Sequence, residues 1–203
     1  ADSKLGTAPG SSTAGHLTFD GGTLETTASF TLDSNRGIQL NAGGGTITPA
    51  TATDLTYNGT IAGSGNLQKE GGGRLRLGGT SANTYSGDTH VNDGELILSK
   101  TAGIDAVAGT IHINANGTLK LGANNQISNG SEIDLNGGAL ETNNFNEGDA
   151  GASGVGTLRL SSNSTLNFNG GADSLRFTDD AFTAGSINIE NWIGDPINGG
   201  GAG

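Results

Sequence analysis

The chain has 203 residues, with 20 acidic against 9 basic side chains, a formal charge of −11, 38 glycines, and neither cysteine nor methionine. That charge argues against binding phosphate backbones, which calls for clustered Lys and Arg, so no nucleic-acid partner is expected. The missing thiols exclude disulfides, thiolate metal sites and Cys nucleophiles, and no run approaches the roughly 18 apolar residues of a membrane span, so the chain is not expected to be membrane-embedded itself. Glycine stands far above its usual share of about 7%, yet no collagen-like triplet period appears. Hydrophobics at 32% would by themselves fit disorder. Their regular spacing argues instead for strand interiors, and only three prolines interrupt it.

In chain order, residues 1–15 read as an irregular lead-in or partial cap, rich in Gly, Ser, Thr and Ala. The opening ADSKLG carries no apolar leader and reads as a mature terminus or a cut end. From residue 16 a solenoid is expected, running to 193. Short strands are predicted at His16–Phe19, Thr23–Thr27, Phe30–Leu32, Ile38–Leu40, Thr46–Thr48 and Leu55–Tyr57. The centre is residues 59–98, where Leu67, Leu75, Leu77, Val91, Leu96 and Leu98 alternate with Gln68, Arg74, Arg76, Glu95 and Ser99. Period-two alternation marks strands with one buried and one wet face, so these six apolar residues should point inward. Strands this short bury their apolar side only by stacking many copies in register.

The central stretch also resembles a known repeat. Gly63-Ser-Gly-Asn-Leu-Gln-Lys69, Gly71-Gly-Gly-Arg-Leu-Arg-Leu77 and Asn83-Thr-Tyr-Ser-Gly87, continued by Thr89, Val91, Gly94 and Leu96, are similar to the passenger-associated transport repeat of autotransporters. Glu70 and Arg74 stand where small or hydroxylated residues are commoner in that repeat. The resemblance implies an all-β, right-handed parallel β-helix in a secreted or surface-displayed bacterial protein. It implies scaffold and export, not a particular chemistry.

Past the centre, Gly103–Ala108 is the one place where a short helical turn or an irregular corner is expected. Strands resume at Thr110–Ile113, Thr118–Leu121, Glu132–Leu135 and Ala139–Thr142. Asn143 to Val155 is a longer polar interruption and should protrude, and protruding loops carry binding functions. Four more strands follow at Thr157–Leu160, Thr165–Phe168, Leu175–Phe177 and Ser186–Ile189. Trp192, the lone tryptophan, is expected to pack as core or cap, and 194–203 is a Gly-rich tail. At roughly 20–25 residues per turn the strands make about eight or nine rungs, a rod on the order of 40 Å long. Asn beside Gly at the corners (Asn41, Asn58, Asn92, Asn116, Asn129, Asn136, Asn169) suits left-handed backbone, and stacked Asn side chains can bond one another.

Signals for chemistry are weak. His16, His90 and His112 occur singly on predicted strands, without an H-x-x-x-H pair, and are read as surface positions. Gly148–Ser153 resembles a serine-protease nucleophile turn but has Ala150 where the serine belongs. Asp173, Arg176, Asp179 and Asp180 could serve glycoside or lyase chemistry only if they converged. Gly170–Phe177 is a single imperfect copy of a calcium nonapeptide, Gly71–Gly73 lacks the G-K-[ST] of a phosphate loop, and the Thr pairs do not recur as an ice-binding ladder. Sequons at Asn58, Asn116, Asn129 and Asn163 offer glycosylation acceptors. No catalytic, cofactor or metal site is assigned. The expectation is a non-catalytic structural or adhesive segment, extracellular or on the cell surface, whose ligand would be a host or environmental surface or a glycan. Head-to-tail self-association into filaments through exposed end rungs is the alternative, and a carbohydrate-active enzyme stands behind both.

Overall fold

The computed structural model describes residues 2–148, 154–169 and 173–193. Among these the chain winds through eight turns of parallel β-solenoid. The first turn holds β1 (Thr13–Phe19), β2 (Gly22–Thr26) and β3 (Phe30–Leu32), and the second holds β4 (Arg36–Leu40), β5 (Gly45–Pro49) and β6 (Asp54–Tyr57). The third holds β7 (Ile61–Gly63), β8 (Leu67–Lys69) and β9 (Arg74–Gly79). Later turns keep two strands each: β10 (Thr89–Val91) and β11 (Gly94–Lys100), β12 (Ile111–Asn114) and β13 (Gly117–Leu121), β14 (Ile133–Asn136) and β15 (Ala139–Glu141). The last two turns add β16 (Val155–Ser162) and β17 (Ser164–Asn167), then β18 (Phe177–Phe182) and β19 (Ile187–Glu190).

Stacking these turns makes three faces. Face A is β1-β4-β7, face B runs β2-β5-β8-β10-β12-β14-β16-β18, and face C runs β3-β6-β9-β11-β13-β15-β17-β19. Each strand pairs in parallel with its counterpart one turn away, so like residues form columns. On face C, Leu75, Leu96 and Leu119 are register partners, as are Leu77, Leu98 and Leu121. On face B, Leu67, Thr89, Ile111 and Ile133 share one inward column, and Lys69, Val91, Ile113 and Leu135 share the next. The predicted inward residues Leu67, Leu75, Leu77, Val91, Leu96 and Leu98 are all at most 1% exposed.

Polar residues tie the corners together. A Cβ on Gly87 would collide with the Gly65 carbonyl, and one on Gly109 with that of Gly87, so a glycine column lets successive turns approach. At the other end of the face B strands an amide ladder climbs the solenoid: Asn92 donates to Glu70 (2.6 Å), Asn114 to Asn92 (2.6 Å) and Asn136 to Asn114 (2.9 Å). Of these, Asn92 and Asn136 are among the predicted corner asparagines, and Asn116 and Asn169 take the expected left-handed φ of 72° and 55°.

Face A loses its ladder after the third turn, and buried polar side chains replace it. Asn83 accepts from the Ile61 N–H (2.9 Å) and donates to the Ala106 carbonyl (2.9 Å). Gln126 accepts from the Lys100 N–H (2.6 Å), and the Glu147 carboxylate accepts from the N–H groups of Gln126 (2.8 Å) and Ile127 (3.3 Å). Each bond satisfies backbone that an absent strand would have paired. Among the described residues isolated bridges remain there, Val107 with Ile127 and Glu147 with Leu175, together with single backbone bonds such as Thr84 N–H to the Ile61 carbonyl (2.8 Å) and Ala106 N–H to the Gln126 carbonyl (2.7 Å).

Several expectations are corrected. β1 begins at Thr13, inside the stretch read as lead-in, and a short 3-10 turn at Asp2–Leu5 covers the first rungs. Its Asp2 meets Arg36, a fully buried guanidinium, at 2.8 Å. Gly103–Ala108 is an irregular corner, one of the two forms expected there. The stretch 143–155 does not leave the stack as a whole, because Glu147 is 1% exposed and Val155 opens β16 fully buried. Residues 149–153 lie outside the described residues, as do residues 170–172 at the start of the nonapeptide-like Gly170–Phe177 and the 194–203 tail. Leu175–Phe177 is not a strand. β18 starts at Phe177 instead, because Leu175 pairs with Glu147 on face A.

Candidate functional site

The residues of the central repeat are committed to holding the scaffold. Lys69 follows Leu67 by two positions on β8, so it points into the core between Ile47 and Val91. Its stem fills that column, and its ammonium donates to the carbonyls of Glu70 (2.9 Å), Gly71 (2.6 Å) and Asp93 (2.7 Å). Burial lowers its pKa from the ordinary lysine value to about 8. Lys100 repeats the device one turn on, donating to the carbonyls of Gly59 (3.2 Å) and Gly78 (2.9 Å), with its pKa also lowered to about 8 by burial. Tyr85 is buried against Thr89, hydroxyl to hydroxyl at 2.6 Å, and burial raises its pKa. A lysine in a strand reads as a solvent-facing residue. Its period-two match to Leu67 was the signal for an inward one.

Chemistry collects instead on the outer wall of face B. His90 on β10 is the register partner of His112 on β12, which in turn pairs with Asp134 on β14. The two imidazoles stack with centroids 4.7 Å apart and planes within 10°. His112 Nδ1 lies 3.1 Å from Asp134 Oδ2, while its Nε2 faces Asp88 Oδ2 at 3.9 Å. One donor atom from each of Asp88, His90 and His112 lies within 4.8 Å of the others, and all three side chains are half-buried. Burial, with the neighbouring His112, holds the His90 pKa below its ordinary value, and Asp88 pulls weakly the other way. Along the same wall Arg159 pairs with Glu132 at 2.9 Å.

Along the chain these histidines are isolated, with no H-x-x-x-H spacing within one strand or helix. The telling spacing is one solenoid turn, which brings residues 90 and 112 side by side. His16 stands apart, its Nδ1 3.5 Å from Arg36 Nη1.

The other carboxylate set does not converge. Asp173 accepts from the Thr142 hydroxyl, and Asp179 accepts from the Asp180 N–H (2.8 Å). Asp179 and Asp180 are consecutive in β18 and so project to opposite sides of the strand. Arg176 is held by its backbone N–H to the Glu147 carbonyl (3.0 Å). The sequon residues Asn58, Asn116, Asn129 and Asn163 are all exposed, and Asn163 Oδ1 also accepts from the Ser186 N–H (2.9 Å). Trp192 is not core. It is 50% exposed, just past β19, the last described strand of face C. No helix among the described residues is long and apolar enough to cross a membrane.

Comparison with known proteins places this architecture. Residues 67–98 match the passenger-associated transport repeat family, so the chain carries an autotransporter passenger repeat. Over 119 residues it is 37% identical to the "Adhesin BmaC autotransporter" of Brucella suis biovar 1 (strain 1330). The match covers 59% of this chain but spans only 3% of the length of that curated relative.

Proposed function

We propose that this chain is a non-catalytic, rigid segment of an autotransporter passenger, displayed at the bacterial surface or released outside the cell, where it extends and contributes to adhesion. One observation carries the reading. The polar residues of its repeat, Lys69, Asn83 and Tyr85, turn inward onto backbone or core partners and present almost nothing to solvent. A motif used up in this way builds a rod, and a rod positions whatever it carries. The similarity to an adhesin supports the same direction. The ligand is read as a host or environmental surface or a glycan, with the exposed corners as contact points and the four sequons as acceptors for glycosylation. Displaying the chain on a non-adherent bacterium and counting cells bound to epithelial layers and to glycan-coated surfaces tests it. Binding above the empty-display control supports an adhesive segment, and binding equal to that control on every surface leaves only the spacer role.

A second reading has its own observation. At the last turn Phe182 is 57% and Ile189 51% exposed, beside a depression lined by Leu158, Leu166, Phe177 and Ile187. An apolar end with unpaired strands favours stacking of a further turn, from a longer chain or a second copy. Electron microscopy across a dilution series separates these. Rods that lengthen with concentration, and shorten in Ile189→Lys, support self-assembly. Rods of one length rule it out.

A further inference from the structure

We infer that Asp88, His90 and His112 form a surface site for a borderline-soft divalent cation such as Zn2+ or Cu2+ on the outer wall of face B, with Asp134 as its positioning residue. The donor set decides the class of metal. Two imidazoles and one carboxylate suit zinc and copper, whereas calcium and magnesium take oxygen donors.

The solenoid register supplies the geometry. Parallel strands lie roughly 4.8 Å apart, so register partners on neighbouring turns present their rings side by side, as His90 and His112 do at 4.7 Å. The Asp134 carboxylate sits at Nδ1 of His112, 3.1 Å away, and so favours the tautomer whose proton is on Nδ1. That leaves the Nε2 lone pair directed towards Asp88, 3.9 Å distant. This carboxylate–imidazole–metal order is how protein sites commonly orient a ligating histidine. Metal–donor bonds of about 2.0–2.2 Å place neighbouring donors about 3.3 Å apart. The present separations, up to 4.8 Å, close by small side-chain rotations. All three side chains are half-buried on an outer wall, so the rotations disturb no core column, and the fourth position stays open to water or an outside donor.

The test uses the full chain after treatment with a chelator. Zinc titration followed by calorimetry, with imidazole 15N shifts read by NMR, should show one ion per chain and shifts confined to His90 and His112. The melting temperature should rise with zinc, since an ion that binds only the folded state stabilises it. The double variant H90Q/H112Q should lose the binding while keeping its metal-free melting temperature. D134N should weaken it roughly 10-fold without abolishing it, through loss of the orienting carboxylate, and should shift the His112 tautomer in the metal-free protein. H16Q should bind as the parent does. Zinc binding that survives in H90Q/H112Q, or is absent from the parent, or falls as much in H16Q, overturns the assignment.

Discussion

Two strands of this chain are nearly the same in sequence and opposite in fate. β12 reads Ile-His-Ile-Asn and β19 reads Ile-Asn-Ile-Glu. Ile111 and Ile113 of β12 are fully buried, whereas Ile189 of β19 is 51% exposed. Propensity and alternation do not separate them. β12 lies between β10 and β14, while β19 has only β17 beside it among the described strands. Burial in a solenoid therefore depends on the turns above and below, and an end strand with a perfect pattern is left partly wet, its Ile187 only half-buried against the core. Asp180 follows the same pattern: it stands at the register position of the core residue Leu158, yet on β18, with only β16 beside it among the described strands, its carboxylate is exposed.

The contrast is best broken by truncating matched positions. Ile113→Ala should cost about 2–5 kcal/mol, the usual range for emptying a closed core, and Leu75→Ala and Leu96→Ala should behave alike. Ile189→Ala should cost less than about 1 kcal/mol, since little of its surface is removed from water. Urea unfolding followed by circular dichroism measures all four, and equal losses at 113 and 189 would show that the last turn is covered in solution.

A somewhat smaller loss is expected from Lys69→Met. The substitution keeps the apolar stem but strands three carbonyls, at a cost of about 2–4 kcal/mol by the usual penalty for unsatisfied buried groups. If Lys69→Met unfolds at the same urea concentration as the parent, the ammonium is not the cap described above. Smaller again is the amide ladder. Asn114→Ala removes bonds to both Asn92 and Asn136 and should cost roughly 1 kcal/mol. Asn191→Gly, at the end of the stack with one bond to Asn167 (2.9 Å) and a left-handed φ of 54° that glycine adopts freely, should be close to silent in the same assay.

A further expected effect is in pH. Lys69 and Lys100 have folded pKa values near 8 against an ordinary 10.5. Between these values the unfolded chain holds more protons than the folded one, so stability should rise as pH climbs from about 8. Above pH 10 the buried tyrosines oppose it. Tyr57 is raised from 10.0 to about 12 by burial, so unfolded tyrosines ionise first and stability falls. Melting temperatures at half-unit steps from pH 7.5 to about 10 check the sign, and a K69M/K100M variant should give a flatter curve. A fall across that window would mean that the carbonyl cage holds the ammonium charged against burial.

Much of this was legible in residue order alone. The strands at Phe30–Leu32 and Thr118–Leu121, and the inward direction of Leu67, Leu75, Leu77, Val91, Leu96 and Leu98, follow from period-two alternation punctuated by Gly and Asn. That pattern is local, and strand pleat converts it directly into sides. The passenger repeat was equally visible, as fixed residues at fixed offsets. The rest depended on partners one turn away. Whether His90 meets His112, whether Lys69 finds three carbonyls, and whether Ile189 is covered are matters of which turn stacks on which. Alternation says which way a side chain points. Only the register between turns, set by corners of unequal length, decides what it points at.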